Sequence, residues 1–412
     1  MKNIKNRLLP LFLLVMTISV IACKRNDGYN TPVNTDKSKP AVVTNIKVDN
    51  YNGGSYITYD LPKSDNVLYI MAKYQIRDGV SRETKSSYYG DTINVEGFAK
   101  AREYDVTLYT VSRANVMSDP TTVKVNPATP VYSLVSRQAS IQPDFGGVNI
   151  KALNPLKKEV GVIVTAFDPS TQRMEVQDQH YTNKDTIDYS LRGYNTDSRA
   201  FGVYITDKFG NISDTLKKSL NPLFEELLPK NLFSEFKLPL DTKLYTGGDW
   251  PVNHLWDGVT DNSVSGWHTN SGNVPPFTCT FNVGATYKLS RFVIWERQNE
   301  FCYGFSNPKN FAIWGSSVAQ PRDVQLPLTA PVGTVVGDWV NLGNFRYPDP
   351  PSGLPPGSIN NADKAFVAAG VGFNFPLSAP AIHFIRVAVS LTWSGGDSAH
   401  IMELSFYGQP TK

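Results

Sequence analysis

Ser55-Tyr56-Ile57-Thr58-Tyr59, Val67–Ala72 and Tyr104–Val111 swap apolar and polar residues in short runs. Successive strand side chains point to opposite faces, so such runs between Gly, Pro, Asn and Asp predict strands with one buried face. Val160–Phe167 and Ala200–Thr206 continue the pattern. Arg291–Trp295, Phe311–Trp314, Ile385–Val389 and Ile401–Gly408 take it up again towards the C-terminus. Residues 222–239 carry the one helical pattern, Leu223, Phe224, Leu227 and Leu228, which Pro229 cuts short. This stretch is expected to be a linker that docks the segment after it. The residues after Tyr104–Val111 and Ala200–Thr206 also match. Ser112–Asp119 and Asp207–Asp214 each lead from Asn and an apolar residue to Ser-Asp. The match predicts an internal repeat of two small β-domains, 41–128 and 130–222. Neither half shows a cluster that looks catalytic, and spacing is their expected role.

Composition narrows the class. The 412 residues include 30 Gly and 28 Pro, and only 19% are charged, which suits turn-rich β-domains. It excludes a coiled coil, a disordered chain and a polytopic membrane protein. Lys2, Lys5 and Arg7 precede an apolar run, Leu8–Ala22, of about 15 residues, short of the roughly 20 that a membrane span needs. The run ends in Val20-Ile21-Ala22-Cys23, which resembles a bacterial lipobox. Residues 1–22 are therefore expected to be a lipoprotein signal peptide, Cys23 the lipidated residue, and polar 23–40 a flexible tether. Removing the leader leaves basic and acidic residues equal in number, which argues against nucleic acid as a partner. Cys279 and Cys302 then remain. In an exported domain they can pair as a disulfide or stay two independent buried thiols.

Gly97-Phe98 before the Tyr104 strand resembles the fibronectin type III pattern, with Tyr104 as its corner tyrosine. Leu255-Trp256-Asp257-Gly258, then Gly266-Trp267-His268-Thr269, resembles the opening of the discoidin, or coagulation factor 5/8 type C, family. Phe292–Arg297, Pro308–Ser317, Ile385–Val389 and Ile401–Gly408 follow in the order of that family's later strands. The whole chain resembles bacteroidete surface lipoproteins encoded beside polysaccharide-uptake genes. The resemblance implies an all-β chain, two immunoglobulin/fibronectin III-like sandwiches followed by a linker at 223–239 and a discoidin-like jelly-roll β-sandwich at 240–412. It also implies an outer-membrane, lipid-anchored protein facing the cell exterior. The partners implied are a polysaccharide or oligosaccharide and an outer-membrane glycan importer complex.

Candidate chemistry concentrates in the third domain. All seven Trp and four of the five His lie beyond residue 249. The resemblance implies a structural Ca²⁺ held by Asp257, Asp261, Ser263 and Glu403, with Asn262 beside them. Calcium takes six to eight oxygen ligands. The alternative is Asx-turn chemistry in a polar loop. Sugar recognition needs an aromatic ring for the apolar face of a pyranose and planar polar groups for its hydroxyls. In the family these come from loops at one end of the sandwich. Trp393 or Tyr303 is the expected platform, and Arg297 and Asn299 the expected hydroxyl readers. Trp250 and Trp339 lie in turn-rich surroundings and are further candidates, with Trp339 and Tyr347 on the insert 321–380 expected to wall a groove. No HExxH, G-x-S-x-G or Cys/His nucleophile signature is present. Glu296 and Glu300 are close in sequence, but Glu296 falls in a strand pattern, so no enzyme is expected. A non-catalytic glycan-binding lipoprotein is the favoured reading. A protein-binding surface adhesin or scaffold, and a glycoside hydrolase accessory, are the alternatives.

Overall fold

The computed structural model describes residues 34–355 and 357–411. The leader, Cys23 and the start of the tether lie outside these residues. The rest of the tether is pinned to the first domain. Asn34 and Asp36 bond the Asn66 side chain, and Lys39 pairs with Asp119 at 2.8 Å.

The described residues are all-β, with two short α-helices, Val131–Arg137 and Asn361–Ala369. In the first domain Thr44–Tyr51, Gly54–Asp60 and Thr92–Glu96 form a three-stranded sheet. Val80–Ser87, Val67–Arg77, Tyr104–Ser112 and Thr121–Val125 form a four-stranded one. Ile57, Ile70, Val95, Val106 and Leu108, the inward positions of the alternating runs, fill the space between them. The Tyr104 hydroxyl donates to the Lys100 carbonyl and accepts from its amide, both at 3.1 Å, closing the expected corner.

The second domain repeats this plan. Thr186–Arg192, Gly147–Leu153 and Ser140–Asp144 face Arg173–Thr182, Val160–Asp168, Arg199–Thr206 and Leu216–Leu220. The repeated Ser-Asp does the same work twice. Ser118 Oγ accepts the Thr110 amide at 2.9 Å and donates to the Asp119 carbonyl at 2.8 Å. Ser213 Oγ treats Ile205 and Asp214 in the same way, at the same two distances.

The third domain is built on a nine-stranded sheet. Its 19-residue strand Phe277–Trp295 pairs first with Ile382–Thr392 and later with Glu403–Pro410. The switch falls at Gly284, where φ is +84° and a Cβ would meet Leu232. Only glycine adopts that conformation at so little cost. The core combines Phe277, Phe281, Phe292, Ile313, Val387 and Phe406.

Residues 222–239 form no α-helix, only the 3-10 turn Lys230–Leu232. Glu226–Leu227 pairs with Glu403–Pro410, and Ser234–Glu235 pairs with Phe277–Trp295. Pro229 ends any helix early, and strand pairing with Leu228 buried in the third core prevails. The stretch does dock the third domain, but as strands. Trp339 and Tyr347 do not wall a groove, since both are 0% exposed. Trp339–Arg346 extends the sheet beside Pro308–Ser316. The Trp339 ring joins Leu238, Trp314 and Leu326 in a second core, and its N–H donates to the Arg322 carbonyl at 2.9 Å. Cys279 and Cys302 are both free and buried, which resolves their alternatives against a disulfide. They have different neighbours, Asp241 and Arg386 for the first and Glu296 and Asp363 for the second.

Candidate functional site

Two-residue strands place the central groups. Trp267–His268 pairs antiparallel with His400–Ile401, Trp267 opposite Ile401 and His268 opposite His400. Side-chain alternation sends Trp267 and Ile401 into the core and both imidazoles to the other face. There the His268 and His400 rings lie 5.3 Å apart, edge to face. Trp250 caps them, at 5.2 Å from His268 and 5.3 Å from His400, and Tyr245 packs on His268 at 5.2 Å. His400 is only 1% exposed, yet neither of its ring nitrogens has a partner among the described residues. His268 Nδ1 is likewise buried without one. Burial, followed for His400 by His268 and for both by Arg297, holds the two imidazoles below their ordinary value. Both are therefore neutral near pH 7, each with one donor and one acceptor nitrogen.

Arg297 enters from the loop after Phe277–Trp295. Its guanidinium stacks on Phe301 at 3.5 Å and lies 6.0 Å from the Trp250 ring centre. No carboxylate or carbonyl takes its N–H groups among the described residues. Asn307, buried and not anticipated from the sequence, sets this loop. Its Oδ1 accepts the Arg297 amide at 3.2 Å, and its Nδ2 donates to the Phe301 carbonyl at 2.9 Å. The neighbouring loop is zipped to it. The amides of Trp393, Ser394 and His400 donate to the carbonyls of Asn307, Phe305 and Ser306. Both loops named from the sequence therefore do sit at one end of the sandwich.

The other sequence candidates fall into place around this cluster. Trp250 and Arg297 are in it. Asn299 is exposed at its rim, at φ +60° in the turn Asn299–Phe301. Tyr303 is not a platform, because it is 3% exposed and belongs to the core. Trp393 is not a free ring either. It packs half-buried on Tyr303 at 5.2 Å, under Lys309 at 4.7 Å. Its indole N–H donates to Glu296 Oε1 at 3.2 Å. Glu296 is sealed beneath it, and burial pushes its carboxyl well above the ordinary range. It cannot work with exposed Glu300 as a catalytic pair. His268 and His400 were missed because two-residue strands leave no periodicity to read. The clustering of four histidines in one domain was the available signal.

The proposed calcium ligands do not form a cage. Asp257 Oδ1 accepts the Val259 amide at 2.8 Å, and Asp261 Oδ1 accepts the Ser263 amide at 2.9 Å, both as Asx turns. The Asn262 side chain bonds the Gln298 backbone. Glu403 is buried, with Lys230 Nζ 2.5 Å from one oxygen and the Gly258 amide 2.9 Å from the other. The Lys230 ammonium thus stands where a cation would meet Glu403, and this arrangement does not fit calcium.

Residues 40–127, 128–231 and 256–408 match three families, DUF4959, DUF5126 and DUF5000, each described only as a domain of unknown function. No protein with curated annotation matches the chain. Among solved structures it is similar to the SusE-like protein BT2857, at 27% identity over 68% of this chain and 100% of that one, with a TM-score of 0.42. It is also similar to the C-terminal domain of a chitobiase from Bacteroides fragilis, at 16% identity, 45% of this chain, 100% of that one and a TM-score of 0.31. A third is a CBM32 module of a GH31 protein bound to GalNAc, at 16% identity, 43% and 96% coverage and a TM-score of 0.26.

Proposed function

We propose that this chain is a non-catalytic glycan-binding lipoprotein, anchored through Cys23 to the outer membrane and facing the cell exterior. It takes a sugar unit on the partly exposed face of Trp250, His268 and Arg297, which covers buried His400. The observation that carries the reading is the state of Arg297. Its planar guanidinium is held on the Phe301 ring at 3.5 Å without an acceptor, beside imidazole nitrogens that also lack partners. Rings and planar hydrogen-bonding groups in one place match the two faces of a pyranose. The free donors of Arg297 suit a hydroxylated ligand, whose oxygens can accept from them. A glycan array probed with the chain from residue 24 tests this. Binding to a defined glycan set, lost in Arg297→Ala with folding intact, is the expected result. Equal array binding by that variant would refute the site. For the anchor, Cys23→Ala should release the protein from membranes, and its continued membrane fractionation would contradict lipidation.

A further inference from the structure

The first two β-domains meet in a crevice of about 310 Å³. Register builds its first wall. Tyr56 lies opposite Asn94 on the neighbouring strand, and both face away from the core that Ile57, Ile93 and Val95 fill. Tyr51, at the end of the first strand, turns its ring to Tyr56 with centres 4.9 Å apart and planes tilted by 37°. Its hydroxyl donates to Asn94 Oδ1 at 2.6 Å, and burial, then Glu96, raises that hydroxyl to about 12, so it stays a donor. The bond orients the Asn94 amide, whose Nδ2 has no acceptor among the described residues. The Tyr56 residue remains 45% exposed.

The second domain supplies the opposite wall, Lys158, Glu159 and Phe209. Its turn around Phe209 is bolted down. Arg77 donates to the Phe209 carbonyl at 3.0 Å and to Asn211 Oδ1 at 2.6 Å, and Asn211 Nδ2 donates to the Gly97 carbonyl at 2.9 Å. Gly97 has φ +101°, and a Cβ there would press on the Phe209 ring at 2.9 Å. A wall fixed in this way is pre-organised and loses little freedom when a ligand binds. The crevice carries no cationic excess. Glu96, Glu159 and Asp207 line it with Lys158 and Lys208, and Glu96 pairs with Lys208 at 3.1 Å.

We propose that this crevice is a second carbohydrate subsite, which takes an uncharged sugar unit on Tyr56 and reads its hydroxyls through Asn94. The inference rests on the glycan-binding reading of the third domain, and it replaces the expectation that the first two domains are only spacers. Two subsites on one chain would engage separate units of the same polymer and raise avidity without new contacts at either site.

The test uses the chain from residue 24 in affinity gels cast with porcine gastric mucin, pectic galactan or xyloglucan. An oligosaccharide cut from the polymer that retards it is then titrated by calorimetry. The expected stoichiometry is two per chain in the wild type, one in Tyr56→Ala, one in Arg297→Ala and none in the double variant. Asn94→Ala serves as an independent second lesion of the crevice and should also give one. A wild-type stoichiometry of one, abolished by Arg297→Ala and untouched by Tyr56→Ala and Asn94→Ala, overturns the subsite and leaves the third-domain site standing. Loss on Tyr56→Ala alone overturns the third-domain site instead. A wild type that none of the three gels retards overturns both.

Discussion

Replacing Lys230 with Met tests how the buried carboxylate of Glu403 is held. The ammonium and the Gly258 amide each satisfy one of its oxygens. Burial still outweighs them and holds Glu403 at about 7, against an ordinary 4.5. The native state therefore binds the proton more tightly than the unfolded chain. Between about pH 4.5 and 7 this group makes stability fall as pH rises. Each pH unit above a group's pKa favours its ionised form by about 1.4 kcal/mol. At pH 8, ionisation thus stabilises the unfolded chain by about 5 kcal/mol and the native state by only about 1 kcal/mol. Without Lys230 the carboxyl can stay protonated. Lys230→Met then forfeits about 1 kcal/mol at pH 8 and almost nothing at pH 6. A buried charge that could not take up a proton would cost about 3–5 kcal/mol. All seven Trp lie in the third domain, so Trp fluorescence in urea reports this domain alone. An equal loss at pH 6 and pH 8 would mean that Glu403 stays ionised throughout, and would refute the reasoning.

Trp393→Ala should lower third-domain stability by about 2–3 kcal/mol, because the ring packs on the core and its N–H serves buried Glu296. Glycan affinity should stay within about twofold, and a tenfold loss with unchanged stability would restore Trp393 as a platform. Asn307→Ala frees the Arg297 amide and the Phe301 carbonyl, at an expected cost of about 2 kcal/mol. Because Arg297 loses its anchor, calorimetry should also show weaker glycan binding, and unchanged affinity would show that the loop holds without Asn307. Thiol titration of the chain from residue 24 should find Cys279 and Cys302 unreactive in buffer and both reactive in urea. A count of zero in urea would mean that they pair.

The alternating runs carried the architecture because the inward positions of a strand must be apolar whatever it packs against. Ser118 and Ser213 made the repeat legible, since each caps the same strand-end geometry with its own hydroxyl. The segment 222–239 misled because its four apolar residues suit a helix as well as two short strands. Tertiary pairing with Glu403–Pro410 decided the matter. Loop-like sequence around Trp339 and Trp393 suggested exposed rings. The insert covers the first, and Tyr303 and Lys309 cover the second, through contacts far apart in sequence. Arg297 was readable as a planar group at the end of a strand. Its partners were not, because His268 and His400 are 132 residues apart and meet through a two-residue bridge.

The most direct measurement follows the five imidazoles by NMR. The chain carries His180, His254, His268, His383 and His400, and each gives its own ring-proton signal. Titration with an oligosaccharide of the retarding polymer should shift His268 and His400, and the Trp250 indole with them. His180, His254 and His383 should keep their positions. Saturable binding with the His268 and His400 signals unmoved would contradict the claim that the sugar sits at this cluster.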